Sequence, residues 1–407
     1  MIIPSIDLMK GKAVQLKQGK EKVLEKDNVL NLAREYSKYG ELAVIDLDAA
    51  LGKGNNFELI KKICKIADCR VGGGIRTIEK ANELLQAGAK KIIIGTKATK
   101  EFLEQLPKKR LIVAIDTKDN YIVNRGWKNK TEKTPEETIK ELEDYCAEFL
   151  FTNVNKEGMM QGFDFEKVLQ LKQITKNKLT AAGGITTIED IKKLETKGIN
   201  SQIGMALYTG KIDLTTAFTN LLDFEKNNGL IPTIVQDKNN QVLMMAFSNK
   251  ESLKTTFKTN KSTYYSRSRK RLWQKGETSK NTQEIIKIRY DCDRDTLLFT
   301  VKQKNIACHL GSYSCFGDKE FTLNQLYEII LDRIENPKAD SYTSKILEDE
   351  KLIKEKIDEE TKEVLNYTDK SNLIWEIADL TYFIMVLMAK KGVTPIDIKN
   401  ELWRRRK

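Results

Sequence analysis

The only histidine of the chain, His309, lies within a cluster of cysteines and aspartates. The cluster occupies residues 291–315, and its other members are Asp291, Cys292, Asp293, Asp295, Cys308 and Cys315. Cysteine thiolates are soft ligands that suit zinc, whereas closely spaced carboxylates are hard ligands that suit magnesium. The cluster therefore predicts two metal sites of different chemistry side by side, and a histidine kept beside thiolates indicates hydrolytic metal chemistry.

Two aspartates of the N-terminal half follow apolar runs at a repeated offset. Asp7 ends the first predicted strand, and Asp116 follows the apolar run 111–115, 109 residues later. Glycine-rich turns repeat in the same way, since Gly73 and Gly183 are 110 residues apart. Turns of this kind present backbone N–H groups to phosphates. These residues predict acid–base chemistry on a small molecule that has a phosphate at each end.

The elements that position these residues are predicted to be those of a barrel. Short β-branched runs alternate with helical patterns up to about residue 222, which predicts a parallel sheet covered by helices. A duplicated unit of 110 residues predicts a (β/α)8 TIM barrel built from two halves. Catalytic groups of such barrels lie at the C-terminal ends of strands, so Asp7 and Asp116 are expected to face each other across the mouth.

Residues 1–225 resemble the phosphoribosylformimino-5-aminoimidazole carboxamide ribotide isomerase of histidine biosynthesis. The matching segments are 3–8, 46–50, 72–76, 115–117, 126–127, 151–152 and 182–185. The resemblance implies an Amadori rearrangement in which Asp7 removes the C2′ proton, Asp116 protonates the ribose ring oxygen and Trp127 lies over the imidazole. The other residues expected to bind the substrate and its phosphates are Gly73, Gly74, Arg76, Gly95, Thr96, Thr152, Gly183, Gly184 and Gly204.

The barrel segment departs from this family at three positions. Gln15 stands where the family usually has arginine, Glu157 where it has aspartate and Met159 where it has threonine. The missing arginine removes a cation that could bind a phosphate or anchor a loop. Both acids are present, so an active isomerase is expected. The alternative is a hydrolase whose barrel is non-catalytic or also accepts the tryptophan-pathway analogue.

A second domain, mainly β or α+β and zinc-binding, is predicted over residues 229–318, after a polar linker. The alternate spacing of the three aspartates predicts that they line one face of a strand, opposite Cys292. Residues 229–316 resemble phosphoribosyl-AMP cyclohydrolase, and the characteristic motif at 266–279 is present.

The resemblance assigns roles to the residues of this second domain. It implies that Cys292, Cys308 and Cys315 bind Zn²⁺, with ligands shared across a homodimer. It further implies that Asp291, Asp293 and Asp295 bind Mg²⁺, and that His309 moves a proton as water opens the adenine ring. Arg267, Arg269 and Arg271 are expected to bind substrate phosphates rather than nucleic acid.

Apolar residues recur at intervals of three and four after Thr322, which predicts an all-α helical-bundle domain over residues 320–407. Glu360 with Glu363, and Glu376 with Asp379, form two acidic pairs that each share a helix face. Such pairs are ordinarily solvated, but Asp379 lies in an apolar run. The segment resembles phosphoribosyl-ATP pyrophosphohydrolase, and the four carboxylates are expected to hold Mg²⁺ for a polyphosphate.

Composition sets wider limits on the function. A chain of 407 residues is long enough for two to four domains, and its net charge of +12 suits nucleic acid or small phosphorylated substrates. Interspersed acids in the basic region favour small phosphoribosyl substrates over nucleic acid. No run of 18 apolar residues occurs, so no membrane span is expected. Six cysteines are too few for a disulfide scaffold, which indicates the reducing cytoplasm. A fusion enzyme for three consecutive steps of histidine biosynthesis is expected.

Overall fold

The structure of the protein, a computed structural model, describes residues 1–17, 21–124, 126–127, 129–159 and 162–406. Residues Met1–Asp318 form one compact unit and Lys319–Trp403 form a second. Two large hydrophobic cores and one smaller cluster lie within the first unit. The second core includes Phe218, Leu222 and Phe224, so it begins before the predicted boundary near residue 225, and that boundary lies inside the first unit.

Strands and helices alternate in the N-terminal part of the first unit. Its strands are β1 (Ile2–Met9), β2 (Lys12–Lys17), β3 (Glu21–Lys26), β4 (Leu42–Asp46), β5 (Cys69–Gly72), β6 (Lys91–Ile94), β7 (Leu111–Lys118), β8 (Tyr121–Asn124), β9 (Asn129–Lys130), β10 (Glu148–Asn153), β11 (Lys178–Ala182) and β12 (Ile199–Ile203). Its helices are α1 (Val29–Ser37), α2 (Leu47–Leu51), α3 (Phe57–Cys64), α4 (Ile78–Gln86), α5 (Lys100–Leu103), α6 (Pro135–Leu142), α7 (Phe165–Gln173), α8 (Ile188–Thr196), α9 (Met205–Tyr208) and α10 (Leu214–Leu221).

Eight of these strands close into a parallel barrel. They follow the order β1, β4, β5, β6, β7, β10, β11, β12, and the ring closes because β12 pairs in parallel with β1. Buried apolar side chains of the strands pack against the surrounding helices in one continuous core. This architecture confirms the predicted TIM barrel.

Two hairpins extend the barrel at its mouth. Strands β2 and β3 continue antiparallel from the end of β1, and β8 and β9 continue from the end of β7. β1 and β7 are the first and fifth barrel strands, so the hairpins follow the two strands that contain Asp7 and Asp116. Each hairpin therefore brings additional side chains over one of the two acids.

The remaining part of the first unit is built around a small mixed sheet. Its elements are β13 (Ile231–Asp237), β14 (Val242–Ser248), α11 (Lys250–Thr259), β15 (Thr263–Ser266), β16 (Arg271–Gln274), β17 (Gln283–Tyr290) and β18 (Leu297–Gln303). The sheet order is β14-β13-β18-β17, and β15 pairs with β16 separately. The predicted strands are present, but the prediction that the three aspartates lie on a strand is wrong. Residues 291–296 form the turn between β17 and β18, where Arg294 has a φ of +66°.

This small sheet packs against the floor of the barrel, at the N-terminal ends of the strands. The Ile288 backbone N–H on β17 donates to the Lys38 carbonyl at 2.8 Å. Tyr39 stacks on Phe257 of α11 with ring centroids 4.3 Å apart. Tyr290 donates its hydroxyl to Glu195, which precedes β12, at 3.0 Å. The sheet therefore contacts the end of the barrel opposite the catalytic mouth.

The second unit is helical over its described residues. Its helices are α12 (Leu323–Glu335), α13 (Tyr342–Glu348), α14 (Glu350–Leu365), α15 (Lys370–Lys390) and α16 (Pro395–Arg405). A core that includes Tyr327, Ile330, Ile353 and Val386 joins α12, α13, α14 and α15. A helical region at the C-terminus is thereby confirmed.

One helix of the described residues, α15, has the length and apolar composition of a membrane span. The core helices of soluble proteins have the same length and composition, so these properties alone do not indicate a membrane span. α15 contains Glu376 and Asp379 near its middle, and a charged side chain at a bilayer centre costs about 2.5–3.5 kcal/mol. The expectation that no segment spans a membrane stays a prediction.

Candidate active sites and metal centres

A cavity of about 470 Å³ opens at the barrel mouth. Its size suits a small-molecule ligand. The structure brings every barrel residue that was predicted to act in catalysis or binding to the wall of this cavity. These residues are Asp7, Gly73, Gly74, Arg76, Gly95, Thr96, Asp116, Trp127, Thr152, Gly183, Gly184 and Gly204.

The two strand-end acids are both shielded from water within this cavity. Burial raises the pKa of Asp7 to about 6, and a hydrogen bond from Ser5 Oγ at 3.2 Å opposes the shift. Burial also raises the pKa of Asp116, and a hydrogen bond of 2.9 Å from Trp127 Nε1 opposes it. A carboxyl whose pKa approaches the working pH is suited to general acid–base catalysis.

Paired glycines form the two turns that the repeat predicts. A Cβ on Gly73 would lie 2.2 Å from the Asp46 carbonyl oxygen, and φ is +97° there. A Cβ on Gly184 would lie 2.5 Å from the Gly162 carbonyl oxygen, and φ is +83°. Both positions therefore require glycine. Each turn leads into a nine-residue helix, α4 or α8, whose N-terminus is capped by threonine. Such helix N-termini favour anions such as phosphate.

Glu157 is a third acid in the cavity, and the sequence identified it only as a departure from a family pattern. A Cβ on Gly183 would lie 2.8 Å from its Oε2 atom, so the carboxyl lies against the second glycine turn. Burial, together with the nearby Asp7 and Asp116, raises the pKa of Glu157 to about 8. At neutral pH Glu157 therefore retains its proton. The sequence signal that could have identified Glu157 as a cavity residue is its position as an acid in a glycine-rich loop after a barrel strand.

The three aspartates of the β17–β18 turn lie together despite the wrong strand assignment. Carboxylate oxygens of Asp291, Asp293 and Asp295 lie within 4.8 Å of one another. Lys226 places its ammonium 2.7 Å from Asp293 and 3.1 Å from Asp295. Oxygen donors at this separation fit the coordination sphere of Mg²⁺.

The cysteines of the cluster divide into a pair and a single residue. Cys308 and Cys315 lie side by side, and the Leu310 N–H donates to Cys308 Sγ at 3.4 Å. That hydrogen bond lowers the pKa of the Cys308 thiol, whereas burial raises the pKa of Cys315. Cys292 is exposed, and within the described residues it forms no three-ligand group with the pair. Within the described residues, one chain therefore provides two adjacent thiols, and Cys292 does not complete a three-ligand group with them.

The histidine and the arginines predicted from the sequence lie on exposed turns of this region. His309 follows Cys308 directly in an exposed turn. Arg267, Arg269 and Arg271 surround the β15–β16 turn and are exposed, and the Arg267 guanidinium lies 3.9 Å from the centroid of the Phe247 ring. Exposed cations on a turn can contact substrate phosphates without first breaking a buried ion pair.

The helical unit gathers acids from α14 and α15. Oxygens of Glu360, Glu363 and Glu376 lie within 4.8 Å of one another, and Asp379 is close enough to affect Glu360. Burial raises the pKa of Glu360, and a hydrogen bond shared with Glu376 raises that of Glu363. Crowded carboxyls without a cation are mutually destabilising, so the donor set fits a bound Mg²⁺.

The apolar run in which Asp379 lies is exposed on the N-terminal side of Asp379. Ile374, Trp375 and Ile377 are 61%, 71% and 47% exposed. The apolar face of α15 that packs against other helices lies further along, at Phe383 and Val386. The acids are therefore held by the partly open first half of the helix.

Comparisons with protein families divide the chain into three consecutive matches. Residues 1–213 match the family described as histidine biosynthesis protein, residues 244–317 match phosphoribosyl-AMP cyclohydrolase, and residues 323–406 match phosphoribosyl-ATP pyrophosphohydrolase.

Individual relatives match the two parts of the chain separately. A 1-(5-phosphoribosyl)-5-((5-phosphoribosylamino)methylideneamino)imidazole-4-carboxamide isomerase from Methanocaldococcus jannaschii is 44% identical over 230 residues, which are 53% of this chain and 97% of the relative. The histidine biosynthesis bifunctional protein HisIE of Pyrococcus furiosus is 43% identical over 201 residues, which are 46% of this chain and 96% of the relative. The HisIE protein of Caldanaerobacter subterraneus is 47% identical over 193 residues, which are 44% of this chain and 94% of the relative.

Proposed function

Since the chain belongs to the histidine biosynthesis protein family, we propose that it is a trifunctional enzyme for three consecutive steps of that pathway. The helical unit releases pyrophosphate from phosphoribosyl-ATP, the region with the cysteine pair opens the adenine ring of phosphoribosyl-AMP, and the barrel isomerises the resulting aminoaldose to an aminoketose. The three family matches, consecutive along one chain, are the observation that supports this proposal most directly.

In the barrel, the acids of the cavity divide the proton transfers between them. Asp7, with a pKa of about 6, is largely ionised at neutral pH and accepts the C2′ proton of the aminoaldose. Asp116, whose pKa is raised by burial, donates a proton to the ribose ring oxygen. Glu157 retains its proton and supplies a hydrogen-bond donor beside the second glycine turn. The glycine turns bind the two terminal phosphates.

In the middle region, Cys308 and Cys315 are proposed to hold Zn²⁺ together with Cys292 of a second copy. The separation of Cys292 from the pair supports a shared site. A second observation is the exposed apolar face of the small sheet, where the cross-strand partners Ile234 and Met245 are 37% and 50% exposed. A homodimer through this region would cover that face and complete the ligand set.

The proton transfers and phosphate contacts of ring opening fall to residues around this centre. Cys308, Cys315 and the second copy's Cys292 would hold the zinc ion, which would supply water activation for the opening of the adenine ring. His309, next to Cys308, moves the proton. The arginines of the β15–β16 turn hold substrate phosphates, and the three aspartates hold Mg²⁺. All six cysteines, each within the described residues, are free thiols, which supports a reducing cytoplasm.

In the helical unit, the carboxyls of α14 and α15 are proposed to hold Mg²⁺ at the polyphosphate. Glu360, Glu363 and Glu376 form the group, and Asp379 lies beside it. Divalent cations bound by carboxylates and substrate phosphates are usual in enzymes that cleave polyphosphates.

One experiment tests the three activities together. Phosphoribosyl-ATP is supplied to the full chain with Zn²⁺ and Mg²⁺, and the products are identified by mass spectrometry. The wild type should yield the aminoketose. Glu360→Gln should leave phosphoribosyl-ATP unchanged, Cys308→Ser should accumulate phosphoribosyl-AMP, and Asp7→Asn should accumulate the aminoaldose.

The wild-type product also decides the alternative. Accumulation of the aminoaldose by the wild-type chain would indicate a hydrolase with a non-catalytic barrel, which the departures at Gln15, Glu157 and Met159 otherwise favour. Turnover of the tryptophan-pathway analogue in a parallel assay would indicate a dual-substrate barrel.

A further inference from the structure

Lys275, which directly follows β16, is half-buried and forms no ion pair with a carboxylate among the described residues. Its ammonium donates instead to the Ala307 carbonyl oxygen at 2.5 Å. Burial lowers the pKa of Lys275, and the nearby Cys315 and Cys308 oppose that shift. A charge withdrawn from water is normally paired, so a lysine whose described ionisable neighbours are two thiols needs an explanation.

The backbone that carries Lys275 is fixed by buried partners. The Lys275 N–H donates at 3.0 Å to the carbonyl oxygen of Ser262, which is 0% exposed. Trp273, two residues earlier on β16, packs against the buried ring of Tyr264, and the ring centroids lie 5.2 Å apart. The lysine side chain therefore starts from a fixed point of the small domain.

The carbonyl group that Lys275 contacts belongs to the turn that carries the cysteine pair. Ala307 directly precedes Cys308, and its N–H donates to the Tyr313 carbonyl at 2.9 Å. The Cys308 N–H donates to the Ser312 carbonyl at 3.3 Å, which closes the same turn. The ammonium also lies near enough to both sulfur atoms for the charges to interact. Lys275 thus joins the end of β16 to the base of the cysteine turn.

The charge of the proposed zinc centre explains a lysine at this place. Three thiolates carry one negative charge more than Zn²⁺ neutralises, so such a centre keeps a net negative charge. An uncompensated charge at a partly buried site is costly, and one ammonium beside the sulfur atoms balances it. The hydrogen bond to Ala307 does not by itself require a charged side chain, because a neutral amide is also a donor.

A phosphate of the substrate is the other anion that could pair with Lys275. The arginines of the β15–β16 turn are better suited to that role, because they are exposed to solvent. The Lys275 ammonium is half-buried and already donates to the turn that holds the thiols. The contacts therefore favour the metal centre over the substrate.

We propose that Lys275 is a positioning residue of the zinc site, which ties the Cys308 turn to β16 and balances the negative charge of the third thiolate. The inference rests on the proposed ring-opening function, because it assumes that the cysteine pair binds Zn²⁺. It goes beyond that function by giving a residue outside the ligand set control of the zinc affinity. Partners of this kind typically change metal affinity by about 10- to 100-fold.

The test measures the affinity of the full chain for Zn²⁺ by competition with a chromophoric chelator. Lys275→Met keeps the length of the side chain without its charge and should bind Zn²⁺ about 10-fold or more weakly than the wild type. Lys275→Arg keeps the charge and the donor and should stay within about threefold of the wild type. Lys302→Met, at an exposed position of β18, is the matched control and should keep the wild-type affinity.

A second measurement separates the metal site from the fold. The melting temperature of each variant is recorded without metal and at one fixed concentration of free Zn²⁺. Weaker binding reduces the stabilisation that this concentration produces, so Lys275→Met should show a smaller zinc-dependent increase than the control. Its metal-free melting temperature should stay close to that of the control.

The kinetics of ring opening separate the metal site from a phosphate contact. At saturating Zn²⁺, Lys275→Met should keep the wild-type KM for phosphoribosyl-AMP, because Lys275 does not contact the substrate. A raised KM with an unchanged zinc affinity would assign Lys275 to a substrate phosphate and overturn the proposal.

Three further outcomes decide the proposal. It is overturned if Lys275→Met binds Zn²⁺ as tightly as the wild type, or if Lys275→Arg loses as much affinity as Lys275→Met. It is also overturned if metal-free Lys275→Met melts far below the control, since the role would then be structural. A wild-type chain that binds no Zn²⁺ would instead refute the proposed zinc site itself.

Discussion

The acids of the barrel cavity predict a pH profile whose alkaline side belongs to Glu157. Burial places the pKa of Asp7 at about 6, and burial together with two neighbouring carboxylates places that of Glu157 at about 8. If Asp7 must be ionised and Glu157 protonated, about four-fifths of the enzyme is competent at pH 7 and about a tenth at pH 5 or pH 9. The profile of kcat/KM should therefore be bell-shaped.

The substitution Glu157→Gln isolates the contribution of this group. Glutamine keeps the size and a hydrogen-bond donor but does not titrate, so the part of the alkaline limb that is centred near pH 8 should disappear whatever the absolute rate. In the variant, kcat/KM at pH 9 should stay within about twofold of its value at pH 7, compared with a decrease of roughly ninefold in the wild type. The alkaline side of the pH profile is the informative one. The phosphate monoesters of the substrate titrate near pH 6 and therefore add an acidic limb to the profiles of both the wild type and the variant.

The assay supplies the aminoaldose to the full chain and follows the aminoketose between pH 5 and pH 10. Glu141→Gln is the matched control, since Glu141 also lines the cavity but pairs with Lys133 at 2.6 Å near the rim. This control should keep both limbs of the profile. An alkaline limb that persists at the same pH in Glu157→Gln would show that another group titrates there, and the assignment to Glu157 would be wrong.

Three further predictions concern the other proposed residues. Asp7→Asn and Asp116→Asn should each slow isomerisation by roughly 10²-fold or more, because an amide neither takes the C2′ proton nor gives one to the ring oxygen; wild-type rates in either variant would remove that residue from the mechanism. Cys292→Ser and Cys308→Ser should each abolish ring opening. When the two variant chains are expressed together, half of the random dimers contain one chain of each kind, and each of these mixed dimers has one intact zinc site out of two, so about a quarter of the wild-type activity should return. An inactive mixture would contradict a shared site. Glu360→Gln should stop pyrophosphate release because Mg²⁺ loses an anionic ligand, whereas isomerisation of added aminoaldose should continue; normal pyrophosphate release would leave these acids as a solvated helix face.

The barrel and its mouth could be predicted from the sequence because both depend on local, repeated patterns. The 110-residue repeat predicted two glycine turns, and Gly73 and Gly184 have the positive φ and the crowding that such turns require. Asp7 and Asp116 were identified because strand ends of a parallel barrel meet at one face. The family matches then confirmed three activities that the resemblances implied.

Other features depend on tertiary contacts that no local pattern encodes. The alternation of Asp291, Asp293 and Asp295 imitates a strand, but β17 and β18 are antiparallel neighbours and require a turn between them. Glu157 becomes a cavity acid only because its loop folds over the second glycine turn. Asp379 lies in an apolar run, but helical periodicity does not reveal whether a neighbouring element covers that face, and the apolar residues just before Asp379 are exposed.

The contact between the small sheet and the barrel floor makes the fusion difficult to reverse. Phe218 and Leu222, at the end of the barrel segment, are buried in the hydrophobic core of the following region. Tyr39 of the barrel lies against Phe257 of that same region. Separating the two parts would expose these side chains to water on both new surfaces. This exposure would cost about 25 cal/mol of free energy for each Å² of apolar surface. The barrel and the small-sheet region therefore depend on each other for the burial of these side chains. Dividing the gene between the two parts would require compensating substitutions at the surfaces that the division exposes.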